Sequence, residues 1–247
     1  MKNWQRNESQ LLLFLKAVIF GLFLYIASAS NFATTQTLFF VVIAFIIYLR
    51  PLFVGEYRGW YAFLITLYIS IWGMKIIVNS IFFLLGIVLF SFIFYLILGI
   101  KEIFFIKRSR VYYIASLLIL YTLFIIFFLA DKSNLFLLKY SGLILATFLL
   151  FREWLGLISS FNFPKRQFIN AALITFIISQ MIWAVALLPL GFIAASNLMI
   201  LISLIMGNLA FAHFTGILSK RYLIQHLVIF ILLFGLILGS SMWLLNI

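Results

Sequence analysis

The chain is 247 residues long, 67% hydrophobic and 9% charged, with a formal net charge of +12 and no cysteine. So few polar side chains could not cover a water-exposed surface, which excludes a soluble core. Without cysteine there are no disulfides, thiolate nucleophiles, iron-sulfur clusters or attached c-type haem, and the basic residues lie scattered in hinges rather than in a nucleic-acid-binding stripe.

A helix rising about 1.5 Å per residue needs about 20 residues to cross about 30 Å of hydrocarbon. The apolar blocks of this chain have that length and are continuous rather than alternating, which predicts helices and not a β-barrel. The expectation is an all-α polytopic transmembrane bundle, one integral membrane domain over 1–247 with about nine spans.

In chain order the spans are 11–29, 33–49, 60–78, 81–100, 111–130, 135–151, 168–188, 193–213 and 223–245. The first follows Lys2 and Arg6 and ends in Ala27-Ser28-Ala29, which resembles a secretion signal; Lys16 breaks its apolar region, so an uncleaved span is expected. Asn31 closes the first turn and Arg50-Pro51 ends the second span. The third is the weakest, because Lys75 interrupts it and only Asn79 and Ser80 separate it from the fourth. Between spans six and seven, Trp154, Leu155, Ile158 and Phe161 recur at helical spacing between charged ends, so residues 152–167 are expected to lie on the cytoplasmic membrane surface. Pro189 and Gly191 turn the chain between spans seven and eight.

Basic residues in short loops stay on the cytoplasmic side. Nine spans with the amino terminus inside put Lys2, Arg6, Arg50, Arg58, Lys101, Lys107, Arg108, Arg110, Arg152, Lys165, Arg166, Lys220 and Arg221 in the cytoplasm and only Lys75, Lys132 and Lys139 outside. Removing the third span would reverse every later loop and put the Lys101 to Arg110 cluster outside, so the third span is kept. Lys16, Lys75 and Lys139 lie about a turn from an interface, within snorkelling reach of headgroups.

Ionisable groups deep in a membrane are the usual marks of ion coupling. Here Glu8, Glu56, Glu102, Asp131 and Glu153 all fall in hinges or at span ends, which argues against a proton- or sodium-coupled carrier. Glycine-rich phosphate loops, aspartate-rich prenyl-diphosphate motifs and the H-E-x-x-H zinc pattern are missing from the sequence. Uncharged polarity gathers in the last third: Asn197, Asn208 and Thr215 recur on one predicted helix face, and Asn170, Ser179 and Gln180 punctuate the seventh span. Two readings stand side by side, interhelical hydrogen bonds or a lining for a polar headgroup or small solute, and Gly207, Gly216, Gly235 and Gly239 allow close helix approach under either. His213 and His226 flank the last cytoplasmic hinge with Glu153 on the same side, so these three are the candidates for a metal site or an acid-base pair beside the alternative of plain interfacial roles.

Leu209-Ala210-Phe211-Ala212-His213 resembles the second motif of CAAX-type intramembrane proteases. That family's first motif has adjacent glutamates before an arginine, whereas here Arg152 precedes a lone Glu153, so no catalytic residue is carried over. Ser179-Gln180-Met181-Ile182-Trp183, Leu188-Pro189-Leu190-Gly191-Phe192, Gly216 to Tyr222 and Trp243 are together similar to uncharacterised multi-span proteins of candidate-phylum (Patescibacteria-type) bacteria. The resemblance covers the last third; it implies a bacterial source and no particular activity. The sequence therefore leads to a non-enzymatic component of a cytoplasmic (inner) membrane, either a permease-like part for a lipid or apolar solute or a scaffold of an envelope complex. Membrane lipids and other membrane subunits are the expected partners, with no cofactor, no metal and no nucleic acid. The alternative is an interfacial metal-dependent hydrolase built on Glu153, His213 and His226.

Overall fold

A computed structural model describes residues 2–49, 59–77, 82–101, 108–129, 136–158 and 164–245, with side chains described for 10–49, 59–77, 82–101, 108–129, 137–158 and 165–240. Among them are nine helices and no strand: α1 (Lys2–Ala29), α2 (Thr34–Leu49), α3 (Trp60–Ile77), α4 (Phe83–Lys101), α5 (Arg108–Leu129), α6 (Phe136–Ile158), α7 (Pro164–Ala186), α8 (Phe192–Phe214) and α9 (Lys220–Leu245). Eight are long and apolar enough to cross a membrane; α2, at 16 residues, is the shorter one. Large apolar side chains such as Leu11, Phe14, Leu22, Leu84 and Leu137 stand fully on the outside. Such a surface calls for hydrocarbon as solvent, and the chain is a multi-pass helical membrane protein.

The structure bears on two of the expected spans. The third, expected to be the weakest, is a continuous helix that buries half of its apolar window, including Phe63, Ile69 and Met74. Arg152–Ile158 continue α6 and Pro164–Gln167 open α7, while 159–163, and with them Phe161 of the expected surface stripe, lie outside the described residues. Of that stripe, Trp154 and Leu155 are buried with Leu150 and Phe151 on one helical face, and Ile158 is half-buried.

The chain divides into two compact units, 1–115 and 116–247, with the boundary inside α5. No change in hydropathy or composition marks it, and each unit is described by itself.

In unit 1, α4 packs along α1 and α3. The contact with α1 is close because of Gly21, where any Cβ would overlap the Ser91 hydroxyl. Rings fill the rest: Phe20 stacks on Phe94 at 4.2 Å, and Tyr48 stacks on Phe63 at 4.1 Å with Phe45 edge-on to Phe63 at 5.2 Å. Each pair adds about 0.5–1.5 kcal/mol beyond burial. At one end of the unit the Lys101 ammonium donates to the Tyr48 carbonyl and lies 4.2 Å from that ring's centroid. At the other end α1 closes through Asn31 N–H to Ser28 O (2.9 Å) and Phe32 N–H to Ala27 O (2.8 Å), with both residues in the left-handed region at φ 51° and 55°. Lys75, in the last turn of α3, sits 5.7 Å above the Phe32 ring.

In unit 2, α6 and α7 form an antiparallel pair held at three levels. Tyr140 O–H donates to Ser179 O (2.9 Å), Phe148 meets Phe168 edge-on (5.2 Å), and Gly156 leaves room for Gln167. α8 packs on α7, and α9 packs on α8. The hairpins α6–α7 and α8–α9 thereby bring Arg152, Lys165, Arg166, Lys220 and Arg221 to one end, with Lys139 at the other.

Candidate functional site

The polar residues of unit 2 sit on helices whose small and branched side chains keep backbones close. Most of the hydroxyls are used locally. Ser196 donates to Phe192 O, Ser203 to Met199 O, Ser179 to Phe176 O and Thr147 to Leu143 O, at 2.6–2.9 Å, the back-bonding expected of a helix in hydrocarbon. Thr175 is the exception in this unit: its hydroxyl oxygen is buried and has no hydrogen-bond partner.

The amides fare differently from one another. Asn197 Oδ1 accepts a 2.9 Å hydrogen bond from Tyr121 O–H, which ties α8 to α5. Asn208 is eleven residues further along α8, hence about 20° round the same face and about 17 Å along the axis. It is half-buried and makes no hydrogen bond with any described residue. Asn170 donates from Nδ2 to Arg166 O at 3.0 Å and so serves the first turns of α7. Gln180 is exposed on α7.

Thr215 does not extend the α8 face predicted for it. The helix ends at Phe214, Gly216 takes φ 72°, and Ile217 N–H reaches back to Ala212 O while Gly216 N–H reaches His213 O, a Schellman closure. Thr215 is the residue at the cap, exposed, with its hydroxyl on Phe211 O at 2.8 Å. The glycine just past a long apolar run was the sequence signal for that ending.

The three candidates for metal or acid-base chemistry are not assembled. His213 is exposed, 5.9 Å from the ring of its own neighbour Phe214. His226 stacks on Tyr222 at 4.1 Å and holds Nδ1 3.0 Å from the Tyr222 carbonyl, one turn back on its own helix. Glu153 is half-buried near the end of α6. No three of the described histidine and carboxylate side chains come together in a group able to hold a metal ion. The shared-metal geometry that would have supported a hydrolase is therefore not formed by these residues.

Sequence reading missed Tyr121 and Tyr140, whose hydroxyls supply interhelical hydrogen bonds in unit 2. Their partners lie 76 and 39 residues away, so no local pattern points to them. What unit 2 presents is one satisfied cross-helix amide, one unsatisfied inner amide and one outward amide, beside a helix, α9, that buries none of its apolar window. Comparison of the chain with protein-family models, with curated proteins and with solved structures finds no match.

Proposed function

We propose that the chain is a non-enzymatic scaffold subunit of an envelope complex in a bacterial cytoplasmic membrane, with its amino terminus inside and its carboxyl terminus outside. The observation that carries this reading is α9. Its 21-residue apolar window has no buried residue, whereas the other seven candidate spans bury 39–50% of theirs. The half-buried positions Tyr222, His226, Phe230, Phe234 and Ile237 line one side of α9, and Gly235 and Gly239 lie opposite, with open space where their side chains would be. That free side suits the transmembrane helix of another subunit, for which two glycines one turn apart permit close backbone approach.

Purification in mild detergent followed by mass spectrometry tests it. A second membrane polypeptide in stoichiometric amount, lost on Gly235→Leu with Gly239→Leu, is the expected result; recovery of lipid alone, unchanged by that double variant, overturns the scaffold. Orientation is tested by labelling single cysteines at Lys107 and Lys220, which react from the same side of the membrane if the charge bias sets the topology.

A second reading, a permease-like component for a lipid or apolar solute, is favoured by Asn208. A half-buried amide without a partner costs free energy unless something passing beside it supplies a hydrogen bond. Flux of a fluorescent lipid or apolar solute in proteoliposomes, abolished by Asn208→Leu, would support this reading over the scaffold; no flux above empty vesicles ends it.

A further inference from the structure

Gln180 stands in an unusual place. The apolar span Lys165–Ala186 of α7 has its midpoint between residues 175 and 176, so Gln180 lies about 7 Å from the middle of the span along the helix axis, inside the hydrocarbon. Its side chain is exposed and makes no hydrogen bond with any described residue. Around it, Ile169, Leu173, Phe176, Ala184 and Leu187 are all exposed and recur at three- and four-residue steps, forming one outward stripe with the amide at its centre.

Hydrocarbon has no donor or acceptor to offer at that depth, and leaving an amide unpaired in an apolar medium is costly. The neighbouring positions could be wholly apolar, as the rest of the stripe is. A carboxamide carries both a donor and an acceptor, so it is its own complement. A twofold axis along the membrane normal sets two copies of α7 parallel, brings both Gln180 side chains to one depth and lets each N–H donate to the other's carbonyl. Ala184, one turn on, keeps that side of the stripe low enough for the helices to approach.

We propose that the Leu173, Phe176, Gln180 and Ala184 face of α7 is a homodimer contact, closed by reciprocal hydrogen bonds between the Gln180 amides of two copies. The contact uses α7 and is independent of what covers α9, so it stands or falls apart from the scaffold reading.

The chain has no cysteine of its own, which makes the test direct. Leu173→Cys and Ala184→Cys, introduced singly, cross-link to dimers in native membranes, whereas Leu232→Cys on the exposed side of α9 gives no such product. Placing Gln180→Leu behind the Leu173 cysteine weakens dimerisation about tenfold, the size of one or two hydrogen bonds between membrane helices. Ala184→Phe keeps the amide but holds the helices apart, and gives the same loss behind that cysteine. Because Gln180 makes no hydrogen bond with any described residue, the Gln180→Leu monomer keeps its helicity and melting temperature. The proposal is overturned if Gln180→Leu leaves cross-linking unchanged, if only Leu232→Cys cross-links, or if the product contains a different polypeptide.

Discussion

Among the candidate spans α3 is the least hydropathic, yet half of its window is buried; the α9 window is more hydropathic, and none of it is buried. Hydropathy measures transfer from water into an apolar medium, and both lipid tails and a protein interior qualify. It therefore governs insertion but not packing. What separates the two helices is side-chain shape and polarity. α3 carries Ala62, Thr66, Ser70 and Gly73 on buried positions beside Phe63, a surface on which neighbouring helices can interlock. Among the described residues α9 packs on α8, through a single side.

The contrast can be broken by truncation. Phe63→Ala, at a fully buried ring stacked on Tyr48, is expected to cost about 3–5 kcal/mol in denaturant unfolding from mixed micelles. The matching change Leu232→Ala on α9 should stay within about 0.5 kcal/mol. Equal losses would mean that α9 is packed within the chain after all.

Glycines sharpen the same comparison. Gly21→Leu drives a side chain into Ser91 and should destabilise by about 1–3 kcal/mol, read as a lower midpoint for thermal loss of helical signal. Gly235→Ala meets open space and should be neutral or gain up to about 1 kcal/mol from helix propensity. Below the Gly21 effect is Tyr121→Phe, which removes the donor to Asn197 and should cost about 0.5–2 kcal/mol. Last, Thr175→Val replaces a buried hydroxyl that has no partner, so stability should hold or rise by less than about 1 kcal/mol. A clear loss there would reveal a bonding partner for that oxygen.

Much of the helical plan was legible because apolar length and breaker residues act locally. Asn31 and Pro189 each mark a turn between helices in the structure, whereas Gly216, expected to allow close helix approach, closes the end of α8 instead. The apolar pattern around Trp154 was visible too, but a helical stripe looks the same whether it faces lipid or protein, and here it faces protein. For the same reason the hydropathy of α9 does not distinguish it from a packed span. The polar site was legible only as a set of residue types. That Asn197 is satisfied and Asn208 is not depends on Tyr121, 76 positions away. The eleven-residue spacing set both amides on one face correctly, while extending it to Thr215 ran one residue past the end of α8 at Phe214.

The turn after α1 bears on the order of assembly. Phe32 is a bulky residue held in a left-handed conformation, which costs on the order of 1–2 kcal/mol and persists only where surroundings enforce it. Part of that enforcement is Lys75, whose ammonium overlies the ring from the far end of α3. During biosynthesis Phe32 emerges some forty residues ahead of this lysine. The first hairpin is thus released into the bilayer with its bend incompletely secured, and the arrival of the third helix locks it.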